Sequence, residues 1–463
     1  MKTHSSAFHS VGLYSHMCKG CTICVTGCPA EAIRVRNGKA VIMEERCIDC
    51  GECIRHCPNK AKYAASLDIA ELQKGRRRAA LLTPSFYGQF PVKYTADMIR
   101  DAVRNIGFTD VFDVADDTET VTRATAEFLA RTENPPHPVI SSSCPAVIKL
   151  IQIRFPSLIE NLLPVLPPVE VTARRARKTL PPGSKIYLIS PCPAKMTAAR
   201  VPLGYDGSQI DGSFSVGTLY IAILSALKKN AAEPDSHPET DPDAGRRRHE
   251  TIRNTTVWSK ESGESECLSD MRRTAWISAG GIPQAISALE AIEAGLFSVY
   301  EFAEIAACNG GCLGGPLNIT CVPEAQAIIR NRLQQTAHAE AHGRHSGQQQ
   351  QTGQTPPEPV SDQKPATILQ PGQQEKITFS RDIPPRPGRI LDADFSKARA
   401  MLEKMERIID ELPGLDCGSC GAPNCRALAE DIVRGNAAKE DCVTIMKAQY
   451  ETLLFGQKNG GGK

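Results

Sequence analysis

The 463-residue sequence lacks a charge bias: 54 Lys and Arg stand against 52 Asp and Glu, a formal balance of +2 at pH 7. So even a balance projects no broad field toward nucleic acid. Aromatic side chains are scarce, at 5%, and none interleaves with the short basic clusters "GRRRAALL" (75–82), "TARRARK" (172–178) and "GRRRHE" (245–250). Those clusters read as solvated faces. Long apolar runs are missing too. Nothing approaches the ~18 consecutive apolar residues of a membrane span, and the opening "MKTHSSAFHS" lacks the apolar stretch of a secretory signal. These absences predict a cytoplasmic protein with no membrane span and no nucleic-acid partner.

What the chain has in excess is cysteine. Eighteen cysteines, clustered at spacings of two and three residues, are unlike a secreted disulfide framework. In a reducing compartment metal is the leading explanation. Length alone predicts two to four domains, and composition separates four segments: 1–66, dense in cysteine; 78–334, alternating short apolar strands with helical patterns; 335–390, polar and low in complexity; and 391–463, helical with four more cysteines. The third contains "AHAEAHGRHSGQQQQTGQTPPEPVSDQKP", too polar to bury a core and expected to be a disordered linker. His338, His342 and His345 are read as part of that tract. A second polar insertion, 228–250, reads as a surface loop.

The first eight cysteines repeat one pattern: Cys18, Cys21, Cys24 and Cys28 before Pro29, then Cys47, Cys50, Cys53 and Cys57 before Pro58. This C-x2-C-x2-C-x3-C-P run, twice, is the two-cluster ferredoxin signature, far better fitted than zinc or disulfides. Three cysteines of each run wrap one [4Fe-4S] cluster and the fourth reaches the other. The expected sets are Cys18, Cys21, Cys24 and Cys57, and Cys47, Cys50, Cys53 and Cys28. Between them "RVRNGKAV" predicts a hairpin with Asn37-Gly38 at its tip. Such a pair relays electrons and performs no bond chemistry.

At the other end, Cys417, Cys420, Cys425 and Cys442 can close one further [4Fe-4S] site, with structural zinc as the alternative. The stretch "LDCGSCGAPNCRALAEDIVRGNAAKEDC" resembles the small [4Fe-4S] domain of corrinoid iron–sulfur proteins and Rnf-complex subunits.

The middle segment repeats strand, tight loop, helix, which predicts an α/β domain with functional groups at the carboxyl ends of strands. Four cysteines lie on its loops: Cys144 in "SSSCPAV", Cys192 in "SPCPAKM", and Cys308 with Cys312 in "AACNGGCLGGP". Singly, each is more often a structural thiol. Together, with glycines that admit close backbone approach and with Lys195 as a cation, they suggest a buried redox cofactor.

These three motifs, in this order behind a ferredoxin-type domain, resemble the [FeFe]-hydrogenases, whose loops read T-S-C-C-P, M-P-C-x-x-K-x-x-E and M-A-C-x-x-G-C-x-G-G. The resemblance implies a multidomain α/β chain: an N-terminal two-cluster ferredoxin fold (α+β), a central α/β H-cluster-type domain, a disordered linker and a small helical C-terminal [4Fe-4S] domain. It implies that Cys144, Cys192 and Cys308 hold a [4Fe-4S] cubane and that Cys312 bridges it to a 2Fe subcluster, the two forming the H-cluster. Lys195 then hydrogen-bonds a cyanide, and Pro84 and Ser85 line the far side of the pocket.

The chain departs from the family pattern where protons move. Ser143 stands in place of the relay cysteine, and an alcohol is a far poorer proton carrier than a thiol with a reference pKa near 8.5. Ala198 replaces the motif's glutamate, and Ser190 and Ala306 replace its methionines. Ligands kept and proton carriers lost resemble the sensory branch of the family. The expectation is an anaerobic protein that binds or slowly oxidises H2, exchanging electrons with a ferredoxin-like redox partner or a signalling partner. Two other readings stay open: a hydrogenase of normal turnover, and an electron-transfer protein with four cubanes and no diiron site. Cys267 and Cys321 are expected to be free thiols.

Overall fold

A computed structural model describes residues 8–73, 77–132, 135–232, 257–346, 377–386, 388 and 390–456. The insertion expected as a surface loop falls mostly outside them. No helix among the described residues is long and apolar enough to cross a membrane.

The ferredoxin arms fold as expected. Strands β1 (Val11–Leu13) and β4 (Lys62–Ala64) pair antiparallel, and between them β2 (Ile33–Arg36) and β3 (Lys39–Ile42) form the hairpin. Its tip residues Asn37 and Gly38 take φ of 50° and 69°, the left-handed geometry of a two-residue hairpin turn.

The central domain holds two parallel sheets. One orders β6 (Asp110–Asp113), β5 (Arg78–Leu82), β8 (Lys185–Ser190) and β9 (Gly212–Ser215); the other orders β10 (Trp276–Gly280), β11 (Phe302–Ala306) and β7 (Val139–Ile140). Strands β5 and β8 carry continuous apolar runs, "AALL" and "IYLI", buried on both faces, as parallel strands covered by helices require. Four of these strands end on the loops that carry Pro84, Cys144, Cys192 and Cys308. The helix Pro145–Arg154, started by Pro145 at its first turn, is buried at nine of its ten residues. A helix buried on every side belongs inside a core; this one runs back from the Cys144 loop, and its two buried polar side chains are paired, Lys149 with Asp49 and Gln152 with Pro384 O. The helix after the Cys192 loop spans Pro193–Arg200, with "PAK" as its first turn.

The expected linker, 335–390, is narrower than composition suggested. The helix Val322–Ser346 carries the backbone through its first part, including the three histidine positions. At its far end the chain lies against the central domain: Leu166 N donates to Ile377 O at 2.7 Å, Phe379 N to Pro164 O at 2.9 Å and Arg386 N to Gln152 O at 3.0 Å. Ile383 is 7% exposed. A few apolar anchors fix this strap, and averaging over a polar tract concealed them.

The C-terminal domain packs the helices Phe395–Glu411 and Cys425–Val433 around Met405, Ile408, Leu412, Leu428 and Cys442. It rests on the ferredoxin domain.

Candidate iron–sulfur sites and central metal pocket

The crossed pairing of the ferredoxin arms is visible in two cavities. Cys18, Cys21, Cys24 and Cys57 line one of about 340 Å3. Cys28, Cys47, Cys50 and Cys53 line the other, of about 350 Å3. Each cavity takes three thiols from one loop and the fourth from the other. Short helices set the spacing: Ile23–Thr26 and Glu52–Arg55 begin behind residues in left-handed backbone, Thr22 and Gly51. Backbone N–H groups of Ala32 and Ala61 point at the sulfurs of Cys28 and Cys57, at 3.3 and 3.2 Å, as N–H groups do at the sulfurs of iron–sulfur sites.

The central cavity is about 1030 Å3, some three times either ferredoxin cavity. Cys144, Cys192, Cys308 and Cys312 all line it, with Lys195, Pro84 and Ser143. Burial pushes the Cys192 thiol up to about 12, even against Lys195, and drives Cys308 well above the usual thiol range. Burial pulls Lys195 down, but the four thiolate charges of Cys312, Cys192, Cys144 and Cys308 outweigh it, and the net shift is upward. Four thiols forced together away from water favour ionisation only against a multiply charged metal group. The donor set fits iron–sulfur chemistry.

The three serines of "SSSCP" divide their work. Ser141 Oγ donates to Glu264 Oε2 at 2.6 Å, Ser142 Oγ donates to Val165 O at 2.8 Å, and Ser143 O accepts from Lys195 Nζ at 3.1 Å. The Ser143 side chain is near enough to the Glu264 carboxylate to favour its charged form, although burial outweighs this and pushes Glu264 up. Ser85 does not reach the cavity: it is fully buried, with Thr83 Oγ1 at 3.4 Å, and Thr83 takes the place on the wall expected for it. Ser190 also turns away, its hydroxyl donating to Cys192 O at 2.8 Å, whereas Ala306 faces the cavity.

Sequence reading missed two acids. Glu264 and Glu304 both line the cavity, and Glu304 Oε2 accepts from Ser265 N at 2.8 Å. Burial, with the Glu264 charge second, pushes the Glu304 carboxyl up to about 8. The signal was an acid inside the apolar strand "FAEIA", four residues before Cys308.

Cys50 lines both its own cavity and the central one, so the two sites adjoin. Gly51 makes that approach possible: it has φ of +80°, and a Cβ there would lie 2.4 Å from Pro316 Cγ and 3.2 Å from Pro193 Cδ. Arg55 Nη2 donates across the same junction to Gly314 O at 2.6 Å.

In the C-terminal domain Cys417, Cys420 and Cys442 lie within electrostatic reach of one another. Cys425 begins the adjoining helix, its N–H bonded to Asp416 Oδ1 at 2.7 Å.

Family models match three stretches. The iron-only hydrogenase large subunit, C-terminal domain, covers residues 77–244, a 4Fe-4S dicluster domain covers 11–58, and an Fe–S cluster domain covers 412–444. The chain is an [FeFe]-hydrogenase-like protein with added iron–sulfur domains. The ferredoxin of Pyrobaculum islandicum is 33% identical over 81 residues, 17% of this chain and 76% of that protein. A component of the ion-translocating oxidoreductase complex of Methanosarcina acetivorans is 50% identical over 44 residues, 10% of this hydrogenase-like chain and 17% of the relative's own length. The chain therefore spans under a fifth of that relative. A solved variant of the [FeFe]-hydrogenase HydA1 from Chlamydomonas reinhardtii is 20% identical, covers 58% of this chain and 87% of that one, and has a TM-score of 0.41.

Proposed function

We propose that this chain is a low-turnover, H2-responsive relative of the [FeFe]-hydrogenases. Cys18, Cys21, Cys24 and Cys57 hold one [4Fe-4S] cluster, Cys28, Cys47, Cys50 and Cys53 a second, and Cys417, Cys420, Cys425 and Cys442 a third. Cys144, Cys192, Cys308 and Cys312 would hold the central cubane, and the rest of the same cavity would admit a diiron unit on the Cys312 side. A bound diiron unit supplies the site at which H2 binds and is split.

The observation that carries this reading is Lys195 in a cavity three times the ferredoxin size. A cubane alone uses neither the extra volume nor a cation that donates its hydrogen bond to a neutral carbonyl. An anionic ligand set uses both. Lys195 orients that ligand, and Thr83 and Pro84 close the opposite wall.

Proton handling falls to Ser143, Glu264 and Glu304. A hydroxyl with no thiol character is a slow carrier at neutral pH, and this sets the low turnover. Glu304 holds a proton beside the cavity up to about pH 8, which gives the slow path a reservoir. Such a chain exchanges single electrons with a ferredoxin-type carrier or a signalling partner.

Ala306 and Ser143 on the cavity wall favour a second reading, a four-cubane electron-transfer protein without diiron. Anaerobic loading with iron, sulfide and a diiron precursor separates them. Infrared CO and cyanide bands that shift under H2, with slow H2 oxidation, support the proposal. Absent bands favour the second reading, and fast turnover contradicts the sensory role.

A further inference from the structure

The C-terminal cysteine domain plays no part in the chemistry proposed for the central cavity, yet it is fastened to the ferredoxin domain at one place. Val35 of β2 lines the cavity of Cys18, Cys21, Cys24 and Cys57. The backbone N–H of the same residue donates to Gly421 O at 2.8 Å, one residue after Cys420. Arg36 Nη1 reaches the carbonyl of Cys420 itself, at 3.4 Å. The two ligand loops are thus separated by a single residue. Gly421 has φ of +81°, and a Cβ there would lie 2.4 Å from Val35 O; at Gly418 a Cβ would lie 2.7 Å from Thr26 Cγ2. Only glycines let the loops come this near.

Charges lock the contact. Asp431 Oδ2 accepts from Arg34 Nε at 2.7 Å and also from Arg36 Nη2, with the Arg34 and Asp431 side chains 5% and 6% exposed. The preceding residue of the helix, Glu430, pairs with Arg46, whose Nε donates to Gly388 O at 2.6 Å. Asn424 Nδ2 adds a bond to Glu31 Oε1 at 3.0 Å. Ion pairs this dry are costly to part, and they specify one docking geometry more than they add stability.

We propose that the C-terminal domain is the ferredoxin domain's built-in redox partner, its cysteine site held at one fixed position across Val35 from the Cys18 site. It occupies the hairpin face on which a separate one-electron carrier would otherwise dock. One electron passes between the two centres, one oxidised as the other is reduced, and no proton or bond moves. Cys417, which is exposed, becomes the outer edge of the relay. The inference rests on the assignment of clusters to these two cysteine sets and not on the contents of the central cavity.

The test uses the full-length, anaerobically reconstituted protein, with a protease site introduced at residue 389, so that the strap stays with the central domain after cleavage. After cleavage the wild-type halves should co-elute, and the dithionite-reduced protein should show spin–spin broadening between the C-terminal and Cys18-set clusters in low-temperature EPR. Asp431→Arg with Glu430→Arg should release the C-terminal half and remove the broadening with iron content unchanged. The milder Asp431→Asn and Arg36→Gln variants, which keep the domain's own core, should weaken both. Wild-type halves that separate, a magnetically isolated C-terminal cluster, or broadening that survives in every variant would overturn the proposal. Intact coupling with no infrared bands defeats only the function proposed above; bands with separated halves defeat only this inference.

Discussion

Lys149 and Asp49 form an ion pair that joins two sites. Lys149 stands on the buried helix that begins after Cys144, and Asp49 lies between the ligands Cys47 and Cys50. Their side chains are 6% and 0% exposed, Nζ to Oδ2 is 2.6 Å, and Asp49 Oδ1 also accepts from Ser10 N at 2.8 Å. Lys149→Met leaves a carboxylate out of water with one backbone donor. Removing one partner of such a pair costs about 3–5 kcal/mol, whereas replacing both by neutral groups of similar volume is close to neutral. Lys149→Met alone should therefore lose about that much, and Lys149→Met with Asp49→Asn should return to within ~1 kcal/mol of wild type. Anaerobic denaturant unfolding, followed by the visible absorbance of the clusters, reads the midpoint of each variant. A single variant with an unmoved midpoint, or a double variant as unstable as the two singles together, would refute the reasoning.

Three further outcomes follow from the same geometry. The folded protein keeps a proton on Glu304 up to about pH 8, where an ordinary glutamate at 4.5 has released it. The stability this group contributes is full below 4.5 and is lost as pH rises toward 8. At ~1.4 kcal/mol per pH unit over the interval from 4.5 to about 8, Glu304→Gln should be nearly silent at pH 5 and stabilising by on the order of 5 kcal/mol above pH 8, measured by thermal unfolding across pH. Gly51→Ala forces a Cβ against Pro316 in left-handed backbone and should destabilise the junction by about 1–3 kcal/mol. It should also slow reduction of the central site by the ferredoxin clusters, seen in rapid-mixing absorbance. Ser143→Cys restores a thiol carrier beside Glu264 and should raise H2 oxidation by on the order of 10²-fold; an unchanged rate would show that proton delivery is not the limiting step.

Much of this was legible in the sequence because cluster ligation is local. The doubled spacing of Cys18 to Cys28 and Cys47 to Cys57 specifies which thiols face which cavity, and Asn37-Gly38 specifies the hairpin. Pro145 marked the start of a helix and Cys144 the loop before it. What stayed hidden depends on distance in the chain. Glu264 reaches Ser141 from 123 residues away, and nothing local to "SGESEC" announces that meeting. The strap from Ile377 to Arg386 looked like linker because three apolar anchors vanish in a polar average. Its place in a motif puts Ser85 on the pocket wall, but the hydroxyl is buried against Thr83 of its own loop. The docking of Asp431 on Arg34 crosses 397 residues, and only the folded chain reveals it.

The most direct test of the central claim is infrared spectroscopy of the anaerobically matured protein before and after H2, together with the same measurement on Lys195→Met. The account predicts CO and cyanide bands in the wild type that shift under H2 at low turnover, and weakened or missing bands in the variant with its cubane iron retained. A fully loaded wild type without bands, or a variant whose bands are identical to wild type, would contradict it.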